Sequence, residues 1–188
     1  MNILILGIGN ILFADEGMGA HMTHYIDEKY NFSSKEHRVE IMDGGTLAEA
    51  LIPHIVKYNY VILIDCIDAD NGAPGDVYFF DFDKIPSGIK WDGSAHEVEM
   101  LQTLQMMDMH GDRPETKIVG LIPKRLYSED TTFDMSSEVL ESVDLIEKIV
   151  TKHLTKLGID VSVKNHDVQM TDIANISFKR EMINGTTL

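Results

Sequence analysis

The chain has 188 residues, 44% of them apolar and 25% charged, which suits one compact domain with a substantial core. A formal charge of −15 repels phosphate backbones and argues against non-specific nucleic-acid binding, and a lone cysteine, Cys66, excludes an internal disulfide. No apolar run approaches the roughly 20 residues that cross a bilayer, and the opening Met-Asn-Ile-Leu-Ile-Leu-Gly lacks the basic start of a secretory signal, so a cytoplasmic protein without a membrane partner is expected.

Ile3 to Leu6 is a continuous aliphatic run, as in a strand covered on both faces. Met18, Met22, Tyr25 and Ile26 follow at helical spacing, with Asp15 placed to cap that helix. On the same helix His21 and His24 lie at i and i+3. They read as a solvated polar face, the metal-binding use of such a pair being the rarer one. Val39 to Met42 predicts a second strand, and Leu47, Leu51 and Ile55 a helical stripe that Pro53 kinks or splits into two short helices. Val61 to Ile64 is again wholly apolar and predicts the centre of the sheet. Only a Gly/Pro/Asp-rich loop, Asp68 to Asp76, separates it from the next strand, Val77 to Phe82. That is too short for a crossover helix, so this fourth strand is expected to run antiparallel at an edge.

Beyond Pro86, Gly88 and Gly93, a Met-rich helix runs from about His96 to His110, with Met100, Leu101, Leu104 and Met107 as its apolar face. Ile118 to Ile122 predicts a fifth strand. A last long helix carries Val139, Val143, Ile146, Val150 and Leu154, capped by Ser136 or Ser137 and stopped by Gly158. From Ile159 the periodicity fades, which divides the chain into a domain over 1–158 and an extension over 159–188, a tail or a short docking helix. The expected fold is a three-layer α/β sandwich around a five-stranded, mostly parallel sheet with one antiparallel edge strand.

Ligands of such folds bind beyond the carboxyl ends of the strands. Glu16 follows the first strand through Gly7-Ile8-Gly9-Asn10, Asp65 closes the third, and His96 stands where a glycine-containing loop enters a helix. Two carboxylates and an imidazole suit a borderline divalent cation and leave coordination positions open. Singly, each has a plain structural use: acids complement a helix N-terminus, aspartates make turns, and histidines begin helices.

The run Gly7-Ile8-Gly9-Asn10-Ile11-Leu12-Phe13-Ala14-Asp15-Glu16-Gly17-Met18-Gly19 adds a more specific signal. Together with Asp43-Gly44-Gly45-Thr46, Asp65 after its aliphatic strand, and Ser94-Ala95-His96, it closely resembles the maturation endopeptidases of nickel–iron hydrogenases. The Ala73-Pro74-Gly75 turn and Pro123 fit as well, and the likeness runs from Met1 to about Gly158. It implies an enzyme that removes a short C-terminal extension from the hydrogenase large-subunit precursor once nickel is in place. Metal contact and catalysis then fall on Glu16, Asp65 and His96, and Asp43, Gly44, Gly45 and Thr46 match a segment associated with substrate choice. The metal implied is nickel carried by the substrate, with no stored zinc and no organic cofactor, and the partner is that precursor, met by a monomeric enzyme. Whether the metal polarises the scissile carbonyl, activates water or only positions the tail stays open.

Three other readings compete. Gly7-x-Gly9 begins a dinucleotide fingerprint, but its third glycine falls on Leu12, and Glu16 would sit near the diphosphate. A cysteine hydrolase would need Cys66, which follows a buried strand where free thiols are mostly inert. A non-catalytic metallochaperone or metal-sensing module for hydrogenase assembly is the alternative that turnover decides.

Overall fold

The structure is a computed structural model that describes residues 1–90, 95–124 and 132–175, and for 95–98 the backbone alone. Its first strand, β1 (Asn2–Gly7), is buried on both faces by alternation: Ile3 and Ile5 join one core, Leu4 and Leu6 the other. A single 3-10 turn, Ala14–Gly17, leads into α1 (Met18–Lys29), which passes directly into β2 (Tyr30–Ser33). β3 (Arg38–Asp43) follows, then a second 3-10 turn, Ala48–Leu51, and the short α2 (Ile52–Ile55). Pro53 is the second residue of this second piece, in the first turn, where its missing N–H leaves no helical bond unmade, so the predicted split is observed. The stripe itself is shifted: Leu47 is 68% exposed, and Ala48 and Ile55 are the buried residues.

β4 (Tyr60–Cys66) is buried throughout. Two-residue strands β5 (Asp68–Ala69) and β7 (Ile89–Lys90) pair with each other on either side of β6 (Val77–Asp81). Then come α3 (Ala95–His110), β8 (Glu115–Leu121), α4 (Ser137–Lys156) and β9 (Asp160–Val163). The main sheet has the order β3-β1-β4-β8-β6. Its pairings are parallel except that of β6 with β8, so the fourth of its strands is the antiparallel edge and Val61 to Ile64 lies at the centre, as expected.

One core lies between the sheet and the pair α1 and α4, through Met18, Met22, Ile26, Val139, Ile146 and Val150. The second lies beneath α2 and α3, through Ile55, Met100, Leu104 and Met107. The layers are therefore helix, sheet, helix. Ser136 caps α4, its hydroxyl accepting the Val139 N–H at 3.4 Å, and Gly158 leaves that helix at φ 82°.

Gly158 ends a helix but not the packed unit. β9 pairs antiparallel with β2, and the chain beyond it buries Val168, Met170 and Ile173 in the same core as α1 and α4, with 170–175 helical. The boundary drawn at 158 thus coincides with no break in packing. The residues of these short strands are exposed or half-buried and lie outside the main sheet, so they leave no continuous apolar run to detect. Residues 176–188 of the expected extension lie outside the described residues.

Candidate active site at the carboxyl edge of the sheet

β1 and β3 end in register at Gly7 and Asp43, and β4, with Ile64 opposite Gly7, runs on through Asp65 to Cys66. The loops that leave them are bonded together: the Gly44 N–H donates to Gly7 O at 2.8 Å, Gly9 N–H to Gly45 O at 3.0 Å, and Ile8 N–H to Ile64 O at 3.0 Å. Two glycines make this closeness sterically allowed. Gly9 has φ 150°, and a Cβ there would lie 2.0 Å from the Glu16 carbonyl oxygen. A Cβ at Gly19 would lie 2.1 Å from Ile8 O and 2.4 Å from Ile64 O, so the first turn of α1 rests directly on the backbone of the strand ends.

Asp15 and Glu16 sit on the Ala14–Gly17 turn, both buried. Asp15 does not cap α1, whose cap residue is Gly17 with no side-chain bond. Its carboxylate accepts instead from Ser136 N–H at 2.7 Å, Ser136 Oγ–H at 2.9 Å and Lys124 N–H at 3.0 Å. Asp15 thereby ties the turn to the start of α4 and the exit of β8. Its carbonyl oxygen also accepts from Cys66 Sγ at 3.4 Å, which joins the end of β4 to the turn that carries Glu16. Cys66 is accordingly a buried packing residue.

Glu16 is 6% exposed and Asp65 3% exposed; the turn of Glu16 meets Gly9 and Cys66, and Asp65 is the last residue but one of β4, so both stand at this one edge. Asp65 lies opposite Gly120 of β8, and its Oδ1 accepts the Cys66 N–H at 2.8 Å. His96 is the second residue of α3; its side chain lies outside the described residues, as do Gly93 and Ser94. Among the described residues no group of three or more His, Cys, Asp or Glu side chains is gathered tightly enough to hold a metal. The structure thus brings two of the three predicted site residues to the same edge.

The two histidines of α1 depart from the expected solvated face. His21 is fully buried against Gly17, and among the described residues neither ring nitrogen has a hydrogen-bond partner. Burial, with a smaller contribution from His24, pushes its pKa down from 6.5 to about 4, so the ring is neutral at pH 7. His24 is half-buried, and its Nε2 lies 2.9 Å from Asp43 Oδ2. Burial opposes ionisation of Asp43, yet the bonds from His24 and from the Gly45 N–H outweigh it and hold the carboxyl below its usual range.

A family model described as hydrogenase maturation protease (HycI) matches residues 20–153. The chain belongs to the hydrogenase maturation protease family. It is 50% identical over 159 residues to protein HydD of Wolinella succinogenes, covering 85% of this chain and 98% of that one. It is 30% identical over 127 residues to the hydrogenase 2 maturation protease of Escherichia coli, covering 67% and 76%. Among solved structures it resembles the hydrogenase maturating endopeptidase HybD of E. coli, with TM-score 0.75 and 25% identity over 87% of this chain and 98% of that one. The HybD protease of Thermococcus kodakarensis matches with TM-score 0.62 and 28% identity, over 81% and 99%.

The family match spans Asp65 and His96, whereas Glu16 precedes it. What recommends Glu16 as a site residue is therefore its burial at the same edge as Asp65. Two features of this protease escaped the sequence reading. The Asp15–Ser136 link joins positions with no local pattern in common, and a buried histidine has the same spacing as an exposed one. A signal for the first lay in the adjacent acids Asp15 and Glu16, only one of which a helix start needs.

Proposed function

We propose that this protease removes the C-terminal extension of the nickel-loaded large-subunit precursor of a nickel–iron hydrogenase, with Glu16, Asp65 and His96 contacting the substrate's nickel. The observation that carries the reading is the pair of acidic side chains, 6% and 3% exposed, at the edge where glycines let backbones approach closely. Carboxylate oxygens suit a borderline divalent cation, and a metal-bearing substrate supplies one. An extended tail lies along the same edge, over the loops 7–10 and 43–46. Hydrolysis adds the oxygen of water to the scissile carbonyl, breaks the C–N bond and transfers a proton to the leaving amine. A carboxylate within reach of that water serves as its proton acceptor.

The Asp43, Gly44, Gly45 and Thr46 loop selects the precursor in this reading. It is bonded to the Gly7–Gly9 segment, so a substrate that displaces one loop is felt by the other. Among the described residues no helix is long and apolar enough to cross a membrane. We propose separately that the enzyme acts as a monomer in the cytoplasm.

The test mixes the protein with nickel-loaded precursor and weighs the product by mass spectrometry. Wild type shortens the precursor by its tail; Glu16→Gln, Asp65→Asn and His96→Ala leave it whole, as does wild type given nickel-free precursor. A wild-type protein that binds the loaded precursor and leaves its mass unchanged is a metallochaperone, and the protease reading fails.

A further inference from the structure

The His24–Asp43 contact bears on the same site from behind. Asp43 is the last residue of β3, and its carboxylate spans two elements: Oδ2 faces His24 Nε2 of α1 at 2.9 Å, while Oδ1 accepts the Gly45 N–H at 2.9 Å. An ionised carboxylate only accepts, so Nε2 carries the proton and donates. Gly45 holds φ 59°, and its carbonyl accepts from Gly9, whose α-carbon packs against the backbone of Glu16. One continuous chain of contacts thus runs from His24 through Asp43, Gly45 and Gly9 to the turn that carries Glu16. The outer side of Gly45 is open among the described residues, with none of their atoms within 4 Å of a Cβ built there beyond its chain neighbours. On the other side His24 and Asp43 line a groove of 420 Å³ with Thr23, Asp27, Phe32 and Ile41.

We propose that His24 is a specificity-determining positioning residue: it holds Asp43 so that residues 43–46 present a fixed backbone to the precursor. This rests on the reading that the loop selects that precursor. Among the described residues Asp43 without His24 keeps only the Gly45 bond, and its carboxylate is free to swing towards the groove, taking Gly45 out of line with Gly9. The chain of contacts meets Glu16 at its main-chain oxygen behind Gly9 and not at its carboxylate, so loosening residues 43–46 weakens the hold on the precursor more than it moves the reacting groups, and the loss falls on KM more than on kcat.

Two measurements test this. In steady-state processing of nickel-loaded precursor, His24→Ala raises KM about tenfold while kcat stays within about twofold, and His24→Gln, whose amide can still donate to Asp43, recovers most of the difference. The double variant His24→Ala/Asp43→Asn is no worse than its more affected single parent, because both changes break one link. In the free protein, amide hydrogen exchange at Gly45 speeds up by about tenfold in His24→Ala and returns towards the wild-type rate in His24→Gln. An unchanged KM, or a fall in kcat at constant KM, overturns the proposal. Should wild type fail to shorten the precursor, the function reading is what has failed, and Gly45 exchange alone then judges His24: no acceleration in His24→Ala refutes it.

Discussion

The two ends of α1 treat polar groups in opposite ways. At its C-terminal end, Glu147 of α4 accepts from Tyr25 Oη–H and Lys29 Nζ, each at 2.7 Å, and from the Tyr30 hydroxyl, while Lys29 also donates to Tyr25 at 2.6 Å. Burial alone would lower the Lys29 pKa, but the carboxylate and the tyrosine outweigh it and raise it well above the usual lysine value. Burial and Glu147 together lift the Tyr30 pKa to about 12. Each of these polar tips has a partner, so the network clamps α1, β2 and α4 together. At the N-terminal end the same helix carries an imidazole with two unbonded nitrogens and a glycine pressed on two carbonyl oxygens. The contrast teaches where stability and function reside: one end secures the layers, the other sacrifices hydrogen bonds to bring backbones close around a candidate active site.

Filling the close approach should have the largest effect. Gly19→Ala places a methyl group against Ile8 O and Ile64 O, both backbone and unable to yield, so α1 must lift from the sheet. A loss of about 3 kcal/mol in urea unfolding is expected, together with loss of precursor processing.

Breaking the opposite end should cost nearly as much stability but spare the chemistry. Glu147→Ala leaves Lys29 and two tyrosine hydroxyls without their shared acceptor, in a site where the side chains of Lys29 and Glu147 are 18% and 16% exposed. About 2–3 kcal/mol should be lost, with processing at low temperature retained. Equal loss of activity and stability would erase the division between the two ends.

The smallest effect sharpens the comparison through pH. The unfolded chain protonates His21 near 6.5 and the folded protein only near 4, so between those values the unfolded state binds more protons. The contribution of His21 is full above pH 6.5 and declines as the pH falls, by about 2 kcal/mol at pH 5. His21→Leu removes the group that titrates; its unfolding free energy should depend less on pH between 7 and 5 than that of wild type, by about that amount. At pH 7 the leucine should be neutral or stabilising by about 1 kcal/mol, since no hydrogen bond is lost. Parallel pH profiles for the two proteins would show that His21 is not the buried neutral group described.

Much of the fold was legible in the chain because burial leaves a periodic trace. Ile3 to Leu6 and Val61 to Ile64 announce strands covered on both faces, and the short link after Asp65 forces Val77 to Asp81 to an antiparallel edge. The α4 stripe from Val139 to Leu154 is buried as written. For the candidate site, what the chain made legible is a placement: strand ends collect ligands in this topology, and Glu16 and Asp65 both lie at that edge.

Periodicity records how much of a residue is covered, not what covers it, and that is where the tertiary structure decided. Asp15 looked like a cap and bonds to Ser136 across 121 positions, because the exit of β8 and the start of α4 arrive beside it. His21 looked solvated and is sealed behind Gly17. The pairing of β2 with β9, and the return of Val168, Met170 and Ile173 to the first core, joined a stretch without a periodic signal to the domain. A hydrogen-bond partner distant along the chain is chosen by where two segments meet, and that place exists only once the sheet has formed.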